Sequence, residues 1–283
     1  MSRSSVLSVS LVAAALAFPS AASTLKVGPK AQYKTPSAAA RVAKDGDTVV
    51  IAAGEYKGDV CAWRANNLKI RGAGIDKTVL DAGGNICMGK GLWVICGANA
   101  TIEGITFKNA KCKDRNGAGV RYDCNGDVTF RNCSFVGNEN GILSGALDQC
   151  TMKVEKCKFY GNGCGDGYSH NIYVGAVKKL VFKDSVSDHA RRGHNLKSRA
   201  HETEIVNSVF DDGKDGESSY LVNCPNGGKV TMKGCRLVQA PTAANGVMVS
   251  IGEEGAYPET DFVNTNNKFV NHRHAGTEVV LRK

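Results

Sequence analysis

Beyond its first residues the 283-residue chain has no apolar run approaching the roughly 18 residues that a membrane-spanning helix needs. It also has no apolar pattern of helical period long enough for a crossover helix, which argues against a doubly wound α/β sheet. Proline is scarce, 6 in all, and no low-complexity linker divides the chain after Asp45. Two closely spaced C-x-x-C units are lacking, so a structural zinc site is not expected. No helix-turn-helix, finger or aromatic RNA-binding pattern accompanies the positive charge, and nucleic acid is not an expected partner. The last absence is local. Residues 190–201, ARRGHNLKSRAH, hold three arginines, one lysine and two histidines but no carboxylate. Such crowding repels itself unless an anion or a distant carboxylate answers it, which makes the stretch a candidate site.

What is present begins with MSRSS, then VLSVSLVAAALAF and PSAAS: a short basic start, an apolar run and small residues suited to cleavage. This is the pattern of a secretory signal peptide. Residues 1–22 are assigned to it, with cleavage after Ala22 or Ser23, and residues 23–283 to one domain, expected to be secreted or periplasmic and monomeric. All 11 cysteines fall in the mature part, at 61, 87, 96, 112, 124, 133, 150, 157, 164, 224 and 235, which suits an oxidising compartment. The odd count leaves at least one thiol unpaired. The formal charge is +9, or +8 without Arg3, and in an exported protein it points to an acidic partner such as a uronate or sulfated polysaccharide.

The phrases ITFKN, CSFVGN, CKFYGN, SVSDH, SVFDDG, CRLVQA and NKFVN recur, with Phe107, Phe135, Phe159, Val186, Phe210, Leu237 and Phe269 in the matching place. Their spacings are 28, 24, 27, 24, 27 and 32 residues. Short alternating stretches such as VTF, LVF and TEIV, broken by Gly, Asn and Asp, describe solenoid coils better than a globular sheet. The fixed Leu and Asn frame of a leucine-rich repeat is missing. The expected fold is all-β, a right-handed parallel β-helix of nine coils, roughly 40 to 45 Å long at about 4.8 Å per coil. TPSAAARVAKDGD supplies a Thr cap, a proline at the first helical position and an alanine-rich turn, a short helix plugging the first coil.

SAAARVAKDGDTVVIAAGEYKG, with NLKIRGAG and TVLDAGG after it, resembles the opening of pectin-lyase-like β-helix proteins. The resemblance spans nearly the whole mature chain and implies the fold. It implies no single activity, because that fold serves lyases, hydrolases, epimerases and adhesins.

SHNIYVGA, residues 169–176, and GHNLKSRA, residues 193–200, are offset by 24 residues, one coil. With Ile172, Val174 and Ala176 inside, strand alternation turns Asn171, Tyr173 and Gly175 outward. The next coil then puts Leu196, Ser198 and Ala200 inside and Asn195, Lys197 and Arg199 outside. Tyr173 is expected against Lys197, and Gly175 to leave open space beside Arg199. Arg121 or Leu143 is expected to join this face from the coil before, and Tyr220 or Asn223 from the coil after. His189, Arg191, Arg192 and His194 lie in the turn entering the strand, as one wall of a groove.

GHNLKSRAHETEIVNSVF with SSYLVNCPNGGKVTMKGCRL is similar to the catalytic coils of alginate and chondroitin lyases of this fold. That similarity implies a Lys-Ser pair carrying the base, here Lys197 and Ser198. The family's Arg falls near Asn223 and its calcium-binding Glu near Arg192, two departures. No metal or cofactor is assigned. The chemistry needs a proton removed beside a carboxylate whose charge is offset, for which Arg191, Arg192, Arg199 and His194 are candidates. Lysine starts near pKa 10.4, and neighbouring cations lower it toward a usable base. Tyr173 is the candidate acid, or the base in place of Lys197. Catalytic candidates are therefore Lys197, Tyr173 and His194. Substrate-binding candidates are Arg191, Arg192, Arg199, His189, Asn195, Asn171 and Tyr220.

Blander readings stand beside these: Lys197 and Arg199 as solvated charges, Asn171 and Asn195 as a stacked asparagine turn, and His170 with His194 as parts of that turn. FDDGKDGE, with Asp211, Asp212, Asp215 and Glu217, has oxygen ligands for calcium but no recognised loop spacing, and is read as answering the basic stretch. GEEGAYPE, with Glu253, Glu254 and Tyr257, is a loop placed to wall the groove or to supply carboxylates. Cys133 and Cys157, and Cys124 and Cys150, occupy equivalent places on adjacent coils, within disulfide range. Sequons at Asn99 and Asn132 carry no weight alone. The leading expectation is an exported lyase cleaving a uronate-containing polysaccharide by β-elimination. The alternatives are a glycoside hydrolase, which needs two facing carboxylates, and a noncatalytic anionic-glycan binder.

Overall fold

The computed structural model describes residues 21–123, 126–273 and 276–282. Residues 1–20 of the expected signal segment, and Cys124, lie outside them. The chain winds as a right-handed parallel β-helix of about nine coils. Its first sheet has ten strands, from Thr24–Val27 to Thr260–Thr265. The second has nine, from Gly54–Lys57 to Lys268–Asn271, and the third nine, from Cys61–Trp63 to Thr277–Leu281. Each strand pairs in parallel with its equivalent one coil away. No helix of the described residues is long and apolar enough to cross a membrane.

The corner from first to second sheet is made by one residue in the left-handed region: Gly104, Asn132, Lys156, Asp184, Asn207, Gly234 and Asn266, with φ between 48° and 69°. Glycine, asparagine and aspartate take this conformation most readily, which is why they recur. At five of the seven corners the next position is buried and small: Cys133, Cys157, Ser185, Ser208 and Cys235. Each donates to the carbonyl two residues earlier, at 3.4, 3.3, 2.7, 2.8 and 3.4 Å respectively. Cysteine here does the work of serine. Cys133 and Cys157, expected within reach of a disulfide, stand as two thiols, and burial pushes Cys157 well above the ordinary value. The Cys124–Cys150 pairing falls outside the described residues.

Inside, Phe107, Phe135 and Phe159 stack with centroids 5.2 and 4.7 Å apart. Register continues this column through Ser187, Phe210, Leu237 and Phe269, so Ser187 and not Val186 occupies the matching place. The reason is polar. Ser187 Oγ donates to Asn195 O at 2.7 Å and accepts from Asn171, a pair of bonds that valine cannot make. Phe182 leans in from the first sheet to fill the gap, 6.2 Å from Phe159 and 5.5 Å from Phe210. At the N-terminal end the short helix Pro36–Ala40 lies against the strands Thr24–Val27 and Cys61–Trp63, with Thr35 Oγ1 accepting the Ala38 N–H at 3.4 Å.

Candidate active site on the third sheet

Alternation along the short strands Ile172–Val174 and Leu196–Ser198 buries their end residues and turns Tyr173 and Lys197 outward. The two are register partners, and Lys197 Nζ lies 5.3 Å from the centre of the Tyr173 ring. Arg121 and Leu143 precede them in the same file, and Asn223 and Ser250 follow. Tyr220 does not join it. Its ring sits 5.0 Å from His194 at the corner before the strand.

Arg199, just past the strand, is the centre of a polar knot. Its Nε donates to Tyr173 Oη at 2.9 Å, its Nη1 to Asn226 Oδ1 at 2.6 Å, and both Nη atoms to the Glu254 carboxylate at 2.5 and 2.8 Å. Glu254 is held below the ordinary glutamate value mainly by this pair. Tyr257 Oη donates to Arg199 O at 2.6 Å, and Glu253 accepts from Asn223 Nδ2 at 2.9 Å and from Ser250 Oγ at 2.7 Å. The GEEGAYPE loop thus does wall the face. Gly175 gives no open space: a Cβ there would meet Gly145 O at 2.2 Å, so it is glycine because two coils touch backbone to backbone. Lys197 is different. Its Nζ has no hydrogen bond or ion pair among the described residues, yet it is partly buried, and its pKa is lowered, first by burial and then by Arg199, against the pull of Glu254 and Glu253.

Three expected site residues are placed otherwise. Asn171 and Asn195 are fully buried and face inward, because alternation holds only within the strand and the corner before it turns them in. They belong to a chain of amides, Asn138 to Asn162 to Asn171 to Asn195, each Nδ2 donating to the next Oδ1 at 2.8 to 2.9 Å, ending on Asp212 Oδ1 at 2.8 Å. They cannot touch a substrate. His194 is buried and stacks on His170 at 4.6 Å. Its Nδ1 accepts the Tyr220 backbone N–H at 3.2 Å, while the His194 backbone N–H donates to His170 Nδ1 at 2.9 Å. Burial and His170 push its pKa well down, and His170 falls to about 3 through burial, Lys197 and Arg199. A neutral, buried imidazole cannot offset a carboxylate by charge.

His189, Arg191 and Arg192 line the corner and not the Lys197 face. His189 and Arg191 border a cleft of about 340 Å³ with Tyr160, Asp215 and Glu217. His189 Nε2 is 3.5 Å from Asp215 and Arg192 Nε is 3.7 Å from Glu217, so the acidic stretch does answer the basic one. Asp212 answers it by hydrogen bonds, accepting from His189 N, Asn195 Nδ2 and Ser218 Oγ. Beside it burial pushes Asp188 up to about 6. Asn138 and Asn162, which start the amide chain, went unremarked in the sequence, though both close recurring phrases, CSFVGN and CKFYGN. Asn226 had no such signal.

No family model and no curated protein matches the chain. Solved structures do. The pectin methylesterase of Aspergillus niger superposes with a TM-score of 0.64 at 14% identity, over 94% of this chain and 91% of that one. PemA of Erwinia chrysanthemi gives 0.58 at 13%, over 94% of each, and the Yersinia enterocolitica pectin methylesterase 0.56 at 11%, over 87% and 94%. Another such enzyme was solved with a bound hexasaccharide. At these identities the likeness establishes architecture alone: the chain has the right-handed parallel β-helix fold that these enzymes have.

Proposed function

We propose that the protein is an exported enzyme, secreted or periplasmic, that cleaves a uronate-containing polysaccharide by β-elimination on the third-sheet face. One observation carries this reading: a partly buried lysine with no ion-pair partner among the described residues lies on the ring of a tyrosine whose hydroxyl is held by an arginine. Lys197, deprotonated, takes the proton beside the uronate carboxylate. The electrons of that C–H bond form the double bond as the β C–O bond breaks, and the leaving oxygen takes the Tyr173 proton. Arg199 Nε stays on Tyr173 Oη and orients it, while its Nη atoms exchange Glu254 for the uronate carboxylate and offset its charge.

A second reading rests on Glu253, fixed by Asn223 and Ser250 beside Lys197, and on the pectin methylesterases that share the fold. There Glu253 would serve hydrolysis of a uronate methyl ester. Incubation with methyl-esterified and unesterified pectin, followed by product analysis, separates the two. Unsaturated uronate ends from the unesterified polymer support elimination. Methanol without unsaturated ends supports the esterase, and binding without either product leaves a noncatalytic glycan binder.

A further inference from the structure

The corner from second to third sheet carries a second cluster of cations, outside the Lys197 face. Lys111, Arg115 and Arg191 line a cleft of about 330 Å³ with Gly137, Glu139 and Cys164. None of the three side chains has a hydrogen bond or ion pair among the described residues. Glu139, the one carboxylate in the cleft, is buried and already accepts the Cys112 and Gly117 N–H groups at 3.0 and 2.6 Å, so it is committed to the backbone.

The floor is rigid. Successive corners are tied by backbone hydrogen bonds, Glu139 N to Ala110 O, Gly163 N to Asn138 O and Arg191 N to Asn162 O, each 2.9 Å. Gly163, at φ 118°, lets the Arg191 backbone come close, since a Cβ there would meet Arg191 O at 2.8 Å. Cys164 Sγ lies 3.8 Å from Arg115 O, joining the two loops that carry the rim. Three cations and one buried carboxylate, Glu139, therefore line one concavity, which leaves an excess of positive charge among the described residues. Repulsion among them is unfavourable in the empty protein and is relieved by an anionic ligand.

We infer that this cleft is a binding subsite for the carboxylates of a polyuronate chain, which it holds alongside the reacting face. The inference rests on the uronate reading given above. Lys111 and Arg191 stand three coils apart in the winding, roughly 14 Å at about 4.8 Å per coil. Three cations around one cleft favour a ligand that carries several carboxylates, a polymer with repeated charges, over a free uronic acid. Beyond Arg191 the corner becomes acidic at Asp215 and Glu217, which directs the chain toward the Lys111 end.

The test is calorimetric titration with oligogalacturonates of increasing length, at low salt, on the wild type and on the triple variant Lys111→Ala, Arg115→Ala, Arg191→Ala. The wild type is expected to bind longer oligomers more tightly than galacturonate itself, and the triple variant to lose about tenfold in affinity with an unchanged melting temperature. A triple charge reversal to Glu is expected to abolish binding, and added salt to weaken it in the wild type. Triple-variant affinity equal to wild type, no binding of any oligomer by the wild type, or equal binding of neutral glucan oligomers would each overturn the subsite. Unsaturated products formed with binding untouched by the triple variant would remove the cleft and leave the lyase. Cation-dependent binding without such products would do the reverse.

Discussion

At the scale of single residues, the account turns on which cations are already satisfied. Arg199 is paired with Glu254, and Lys197 has no ion pair among the described residues. If Glu254 occupies the position that a uronate carboxylate takes on the Arg199 Nη atoms, Glu254→Gln should bind oligouronates more tightly than wild type, by a few-fold, while costing no more than about 1 kcal/mol of stability, since the pair is half exposed. Weaker binding in that variant would show that Glu254 orients Arg199 rather than competing for it. The histidine stack gives a prediction of opposite kind. His170 titrates at about 3 folded against 6.5 unfolded, and His194 is lowered in the same sense. Between those values the unfolded chain binds more protons, so stability is full above 6.5 and declines as pH falls toward 3. Asp188, raised from 3.8 to about 6, acts the other way, its stabilisation being lost as pH rises through 6. Urea midpoints should therefore fall as pH drops from 6.5 to about 4, more steeply in Asp188→Asn. A flat profile in that variant would mean that the stacked imidazoles accept protons without cost.

At the scale of strands and corners, the sequence showed the period and the phase within strands but not where strands end. The repeated Phe positions and the 24-residue offset between SHNIYVGA and GHNLKSRA placed Tyr173 against Lys197. The same alternation, carried one corner too far, turned Asn171 and Asn195 outward, where the structure buries them in an amide chain. It also put Val186 in the core column, because an apolar residue is the default filler and nothing local announced that Ser187 was needed to hold Asn195 O. Glu254 was visible only as a candidate loop carboxylate, since a partner 55 residues away in sequence leaves no local pattern. The cysteines were read as candidate staples of adjacent coils, and Cys133 and Cys157 stand as thiols. Because Cys133 and Cys157 stand where later coils use Ser185 and Ser208, the double substitution to serine should cost less than about 2 kcal/mol and leave the oxidised and reduced proteins equally stable. A loss of about 2 to 5 kcal/mol confined to non-reducing conditions would instead identify a disulfide between them.

At the scale of the molecule, a nine-coil rod sets one face and one corner side by side along its length. The face carries Lys197 and Tyr173, the proposed reacting groups, and the corner carries Lys111, Arg115 and Arg191. A polymer can engage both at once, which is what a solenoid offers over a compact pocket. Part of the positive charge then has a location, at Lys197, Lys111, Arg115 and Arg191, which have no ion pair among the described residues. The most direct test of the central claim is the ultraviolet absorbance of unsaturated uronate when the protein meets polygalacturonate, alginate and glucuronan, run with wild type and Lys197→Ala. The account predicts absorbance rising with time on at least one polymer, faster at alkaline pH as Lys197 deprotonates below the ordinary lysine value, and its loss in Lys197→Ala at an unchanged melting temperature. Absorbance that survives Lys197→Ala, or that never appears on any of the three, would contradict it.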